Sequence, residues 1–414
     1  MRKTPESLRL HIGIFGRRNV GKSSLINCIA RHSVSIVSPE AGTTTDPVKK
    51  SMELQPLGPV LLIDTAGLDD AGELGELRIK RTKKIIEATE LAILVTEAGQ
   101  WGDFENSLIT EFQEKKIPTI IIINKIDEKP TSPEEIAKLK EACPSVLQVS
   151  TVTGQGVEEL RQEIIEKAPP SFLESPPIIR DLLKPNETAV LVIPIDFEAP
   201  RGRILLPQSQ TIRDVIDNNS ICIVVKETEL EQAIHNQKEF PRIVVTDSQA
   251  FDRVKRATPE NVFLTSFSIL FARYKGDLIT FARGAKAIGS LKPGDKVLVA
   301  EACTHHPIGD DIGTLQIPRK FTAFLGFEPE FHFSHGTNFP EDLTQYKLIV
   351  HCGACVWNRK QVLSRIQNAM SQGVPITNYG ISLAFVNGIF ERALRPFIKK
   401  YPELLELMEE QTQG

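Results

Sequence analysis

Between residues 9 and 170 short apolar runs alternate with amphipathic stretches. The runs LHIGIFG, SMEL, GPVLLID, LAILVTE, TIIIINK and SVLQVS have strand length. Stretches such as VEELRQEIIEKA repeat apolar positions at helical spacing. This alternation predicts an α/β fold, a mainly parallel sheet with helices on both faces. APPSFLESPP (168–177) is rich in proline and serine and predicts a linker. The alternation then resumes, with AVLVIPID, ICIVVKE, RIVVTD and NVFLTSF as strands and TIRDVIDN, ELEQAIHN and FDRVKRA as helices. A third block begins near 268 with helix-like SILFARYKGDLITFARGAKAIGSL. It continues with strand KVLVAEAC, a helix near 316–325, strands EFHF and YKLIVHC, helix RKQVLSRIQNAM, strand VPITNYG and helix SLAFVNGIFERAL. The expected organisation is three consecutive α/β domains, at 1–170, 178–266 and 267–414.

Composition narrows the class. The chain has 414 residues, 41% of them hydrophobic and 25% charged, with a net charge of −4. No global basic field invites nucleic acid or an anionic membrane, so neither is an expected partner. No apolar stretch approaches the roughly 18 residues that span a bilayer. MRKTPESLRLHIGIFG lacks a signal-peptide cleavage pattern and runs directly into the first strand, so the expected compartment is the cytoplasm. Six cysteines in such a chain do not make a disulfide framework, and clustered thiols in a reducing compartment point to metal or catalysis.

GRRNVGKS, Gly16 to Ser23, satisfies G-x-x-x-x-G-K-[ST] between a strand and the helix SSLINCIA. The candidate phosphate-binding positions are Gly16, Asn19, Val20, Gly21, Lys22, Ser23 and Ser24, where inward-turned backbone N–H groups and a helix N-terminus meet phosphate oxygens. Lys22 supplies charge to the outer phosphates and Ser23 a hydroxyl to Mg²⁺. In DTAG, Asp64 can hold Mg²⁺ through water and the Gly67 N–H can meet the γ-phosphate. NKID places Asn124, Lys125 and Asp127 after a strand, where the aspartate can accept two hydrogen bonds that guanine offers and adenine does not. Ser150 and Thr151 of STVTGQG can support the guanine carbonyl. The nucleotide expected is GTP.

With these motifs in this order, the first segment resembles the Era and TrmE-type GTPases. AGTTTD (41–46) is similar to their switch I pattern, which aligns Thr44 with the Mg²⁺-binding threonine. Thr45 stands where those proteins carry arginine, and Leu68 where many small GTPases carry the water-orienting glutamine. The resemblance implies that Asn19 helps to bind K⁺ beside the β- and γ-phosphates, so that hydrolysis is K⁺-stimulated.

Two soft-ligand clusters remain: EACTHHPIGDD (301–311), with Cys303 and His305, and HCGAC, with His351, Cys352 and Cys355. Each follows a strand-like run. If those strands lie parallel in one sheet, both clusters emerge at its carboxyl edge. Structural zinc, an iron–sulfur cluster and buried free thiols all fit such residues. Cys28, Cys143 and Cys222 stand alone and read as core residues.

A K⁺-type GTPase segment followed by C-x-H…H-C-x-x-C resembles the FeFe-hydrogenase maturation GTPases over the whole chain. The resemblance implies a middle dimerisation domain, a homodimer and a C-terminal domain binding a 4Fe–4S cluster. Cys303, Cys352 and Cys355 would be its ligands, with His305 and His351 as ligands or close neighbours. It also implies a scaffold that takes a two-iron precursor from radical-SAM maturases and delivers it to the apo-hydrogenase. The competing expectation is a ribosome- or RNA-associated GTPase with a zinc-stapled C-terminal domain.

Overall fold

In a computed structural model, the apolar runs of the first segment become the centre of a seven-stranded sheet. The structure describes residues 4–31, 38–40, 48–65, 82–173, 176–194, 204–247, 250–302, 311–336 and 338–409. The first sheet contains β1 (Leu10–Phe15), β2 (Ser38–Glu40), β3 (Val48–Leu54), β4 (Gly58–Asp64), β5 (Leu91–Glu97), β6 (Thr119–Asn124) and β7 (Val146–Gln148), in the order β2-β3-β4-β1-β5-β6-β7. From β4 to β7 the strands are parallel; β3 runs antiparallel to β4, and β2 to β3.

Fully apolar strands are explained by two cores. Ile12, Ile93 and Ile122 point into one, beneath Leu160 and Ile164 of the helix Val157–Lys167. Phe15, Leu94 and Ile121 point into the other, where Phe15 meets Phe112 of the helix Asp103–Glu114 with ring centroids 4.9 Å apart. Each fully buried side chain of this kind contributes about 1.5–3 kcal/mol. Because successive residues alternate faces, a strand covered on both sides is apolar at nearly every position. The expected linker begins with Ala168, which is packed in the first core, and includes a short helix, Pro170–Leu173.

The chain divides into two compact units, Met1–Ser175 and Pro176–Gly414. The second holds two four-stranded, all-parallel sheets. One contains β8 (Thr188–Val192), β9 (Ile221–Val225), β10 (Ile243–Thr246) and β11 (Phe263–Ser266), in the order β11-β10-β8-β9. The other contains β12 (Lys296–Glu301), β13 (Glu330–His335), β14 (Leu348–His351) and β15 (Ile376–Asn378), in the order β13-β12-β14-β15. One continuous core extends through both, including Val190, Val244, Phe271, Val299 and Val350.

The helix Phe267–Lys275 belongs to both halves of that core. Its Arg273 grips Asp181 with two bonds of 2.8 Å and donates to the Ile178 carbonyl at 2.5 Å. Burial pushes the Asp181 carboxyl upward, but the hydrogen bonds and charges of Arg273 and Lys400 together hold its pKa below the ordinary value. Arg392 donates to the carbonyls of Lys255, Thr258 and Pro259, closing the end of the helix Phe251–Ala257.

Two helix expectations are corrected. The long helix-like stretch from 268 breaks at Gly276, where a Cβ would lie 2.4 Å from the Phe281 ring. Asp277 then caps a new helix, Leu278–Lys286, by accepting from Thr280 N at 2.7 Å. The stretch SLAFVNGIFERAL likewise forms two helices, Tyr379–Val386 and Phe390–Leu394. The helix expected near 316–325 is present as Ile317–Leu325, entered through a π-helical turn at Ile312–Gln316. No helix among the described residues is long and apolar enough to cross a membrane.

Candidate functional sites

Three parallel strands deliver the nucleotide motifs to one sheet edge. β1 ends at Phe15 and leads into the glycine loop, β4 ends at Asp64, and β6 ends at Asn124. Asn19 sits in the left-handed region at φ 63° and is exposed at the loop. Val20 is buried beneath it. The helix Lys22–Arg31 starts at the motif's lysine, so its first N–H groups face the end of the loop. Lys22 is buried, and its Nζ donates to the carbonyls of Gly16 at 2.9 Å and Arg17 at 2.6 Å. Ser24 follows on the exposed side of the helix.

Ser23 Oγ donates to Asp64 Oδ2 at 2.5 Å. Burial raises the Asp64 carboxyl above its ordinary pKa, opposed by the Ser23 hydrogen bond and the Lys22 charge. A hydroxyl and a carboxylate side by side are hard oxygen donors of the kind Mg²⁺ takes. Thr44, Gly67 and Leu68 lie outside the described residues.

The base-recognition residues divide by role. Asn124 is buried and donates from Nδ2 to the Val20 carbonyl at 2.9 Å, tying the end of β6 to the phosphate loop. Gly21 must be glycine on two counts: its φ is 91°, and a Cβ would fall 2.2 Å from Asn124 Nδ2. Lys125 pairs with Glu97 at 2.6 Å, while Asp127 is exposed on the turn beyond. Ser150 is fully buried: its Oγ accepts from Thr153 N at 3.1 Å and its carbonyl from Gly154 N at 2.9 Å. Thr151 is half-buried at the start of that turn.

The second candidate site lies at the carboxyl edge of the third sheet. β12 and β14 are parallel neighbours, with Ala300 opposite His351, and Cys352 N extends the ladder by donating to the Ala300 carbonyl at 2.9 Å. Cys352 Sγ accepts from the backbone N–H groups of Ala302 at 3.1 Å and Ala354 at 3.4 Å. These two hydrogen bonds fix the sulfur at the sheet edge; the thiolate is the form of cysteine that binds metal. Ala354, at φ 48°, turns the chain so that Cys355 follows on the same loop, and both cysteines are half-buried. Cys303 follows Ala302 directly in sequence; it and His305 lie outside the described residues. Of the three other cysteines, Cys28 and Cys143 are buried within the first unit, and Cys222 is half-buried on β9.

His351 is buried, with Nδ1 2.7 Å from the Cys352 carbonyl and Nε2 2.9 Å from an Arg365 guanidinium nitrogen. Burial, reinforced by Arg365, lowers its pKa to about 3, so the ring is neutral, donating from Nδ1 and accepting at Nε2. As placed, both ring nitrogens are engaged, and ligation by His351 requires the Arg365 bond to break.

Sequence reading missed the residues that hold this loop. Arg365 lies over the Trp357 ring at 4.0 Å and over Phe339 at 4.4 Å. Lys275 donates to the carbonyls of Ala354, Cys355 and Trp357. Burial lowers its pKa to about 8, opposed by the nearby Cys355 and Cys352 sulfurs. On the other side Glu301 meets His335 at 3.0 Å and accepts from the Tyr379 hydroxyl at 3.1 Å. Burial above all pushes the Tyr379 phenol well above its ordinary pKa, so it is a donor at neutral pH. Lys275 and Arg365 carry no motif; each reads as an ordinary basic helix residue.

The phosphate loop, the Ser23–Asp64 pair and the mainly parallel sheet define a P-loop GTPase domain. Residues 11–125 match the family model of the 50S ribosome-binding GTPases. The tRNA modification GTPase MnmE of Bordetella avium is 35% identical over 160 residues, 38% of this chain and 34% of that protein. MnmE of Aquifex aeolicus is 33% identical over 176 residues, 42% of this chain and 38% of that protein. The chain thus spans little more than a third of the length of these relatives. Among solved structures, a variant of Aquifex aeolicus Era bound to GDP.AlF4- is 20% identical, covering 52% of this chain and 93% of that one, with a TM-score of 0.33. Beyond the GTPase domain, residues 178–276 match the hydrogen maturase F dimerization domain and residues 279–396 the hydrogen maturase F tetramerization domain. The chain belongs to the hydrogen maturase F family.

Proposed function

We propose that this protein is a GTP-hydrolysing scaffold for FeFe-hydrogenase maturation, which binds a 4Fe–4S cluster and hands a two-iron precursor to the apo-hydrogenase. The observation that carries this reading is the company the phosphate site keeps. Two hydrogen maturase F domains follow it, and the second brings the Cys352 sulfur to within 3.1 Å of the Ala302 N–H, one residue before Cys303. In this reading radical-SAM maturases supply the precursor.

In the GTPase domain Lys22 neutralises charge on the transferring phosphoryl group, and Ser23, Thr44 and Asp64 hold Mg²⁺ against it. Asp127 selects guanine, while Asn124 keeps the phosphate loop in register. In the C-terminal domain Cys303, Cys352 and Cys355 hold the cluster. Three thiolates leave one iron for a weaker ligand, drawn from His305, His351, Glu301 or water, and that exchangeable corner suits a carrier. Held by these residues, a cluster would supply an iron open to an exchangeable ligand.

Homodimerisation through 178–276 fits β9, an edge strand of its sheet whose Ile221 and Val224 are exposed. The test of the reading is elemental. Anaerobically purified full-length protein should be brown and contain iron and acid-labile sulfide in equal amounts, about four of each per chain. A colourless protein holding stoichiometric zinc would replace it with the zinc-stapled GTPase.

Potassium provides an independent check. Replacing K⁺ with Na⁺ should slow GTP hydrolysis about tenfold or more, about 1.4 kcal/mol in barrier. Asn19→Ala should remove the difference between the ions, and Asn19→Gly, which suits a positive φ, should behave likewise. Equal rates in K⁺ and Na⁺ for the unsubstituted protein would exclude a K⁺ site.

A further inference from the structure

Lys275 is the last residue of the helix Phe267–Lys275, within the stretch that matches the dimerization domain, and it is only 2% exposed. Its Nζ lies 3.0 Å from the Ala354 carbonyl, 3.0 Å from the Cys355 carbonyl and 2.5 Å from the Trp357 carbonyl. All three acceptors belong to one short loop, the loop that carries the C-x-x-C pair. Carbonyls can only accept, so three of them around one nitrogen use all three N–H bonds of an ammonium. None of these partners is a carboxylate.

A buried cation whose partners are neutral is costly unless an anion lies nearby. The nearby candidate is the loop's own cargo. Three thiolates outweigh the charge of an oxidised cubane core, and one-electron reduction adds a further negative charge. The helix end is firmly seated, since Arg273 on the same helix grips Asp181, and Arg359 donates to the carbonyls of Arg273 and Tyr274.

We propose that Lys275 is a positioning residue for the cluster: from the end of the dimerization domain it staples the Cys352–Cys355 loop and stabilises the reduced cluster by its charge. This rests on the cluster reading above and adds a residue from outside the motif. It also makes the cluster's redox properties depend on how the dimerization domain's last helix sits against the third sheet.

Three full-length variants, reconstituted anaerobically with iron and sulfide, separate the two roles. Lys275→Gln keeps donors for the carbonyls but loses the charge, Lys275→Met loses both, and Lys275→Arg keeps the charge. The readouts are iron and sulfide per chain, the midpoint potential from EPR-monitored titration, and thermal unfolding of the cluster-free protein. Lys275→Gln should hold the cluster with a reduced-to-oxidised ratio about tenfold lower at fixed ambient potential, a shift of about 59 mV downward for one electron. Lys275→Met should lose at least half its iron, and Lys275→Arg should retain a potential near that of the unsubstituted protein.

An unshifted potential in Lys275→Gln would overturn the assignment while leaving the cluster reading intact. Neutral variants that unfold before any iron is added would mark Lys275 as a residue of the fold alone and overturn it equally. An unsubstituted protein without iron and sulfide would overturn the cluster reading and this assignment with it.

Discussion

Lys22→Ala should abolish GTP hydrolysis while leaving the iron content of the protein unchanged. The lysine is buried at the first position of its helix, with Nζ held against the Gly16 and Arg17 carbonyls at the mouth of the phosphate loop. In the transition state charge spreads over the oxygens of the transferring phosphoryl group, and an ammonium fixed there needs no reorganisation to meet it. Loss of a single preorganised donor of this kind costs about 2.7–4 kcal/mol, or roughly 10²–10³ in rate. Phosphate release under single-turnover conditions measures the loss. Iron analysis of the same sample tests modularity, because the cysteine loop belongs to the other compact unit. A variant that lost iron together with hydrolysis would contradict the separation of the two sites.

The second large effect concerns the sulfurs. Cys352→Ala or Cys355→Ala should reduce bound iron from about four atoms per chain to near none, since a cubane held by three thiolates cannot spare one. Cys352→Ala also leaves the N–H groups of Ala302 and Ala354 without their sulfur acceptor, loosening the chain immediately before Cys303. GTP hydrolysis should stay within about twofold, well inside a single 1.4 kcal/mol step of barrier. Cys28→Ala, Cys143→Ala and Cys222→Ala should keep their iron, because those thiols sit elsewhere in the fold. Full iron content in the Cys352 and Cys355 variants would show that the cluster, if bound, uses other ligands.

Features that fold from neighbouring residues are legible in the sequence. The phosphate loop is contiguous: eight residues make their own turn, and the strand before and helix after supply the edge and the dipole. Strand and helix periodicity likewise reports local burial, so the three α/β blocks could be read from the chain. The C-x-x-C pair was visible for the same reason, as was its placement after an apolar strand. The break at Gly276 was not. Its helical pattern continues on both sides, and the clash that forbids a Cβ there comes from Phe281, once the next helix has folded back.

Contacts between distant segments were invisible altogether. Asn124 reads as part of a base-recognition motif, yet its amide secures Val20 in the phosphate loop. His351 reads as a ligand beside Cys352, yet the fold gives its Nε2 to Arg365. Lys275 reads as a basic residue at a helix end, yet it is enclosed by three carbonyls of the cysteine loop. The chemistry offered at each site is written in the chain, because a motif is a set of neighbours along it. Which charges and hydrogen bonds surround that chemistry is set by folding, because those groups are contributed by segments that the parallel strands and their crossover helices bring together.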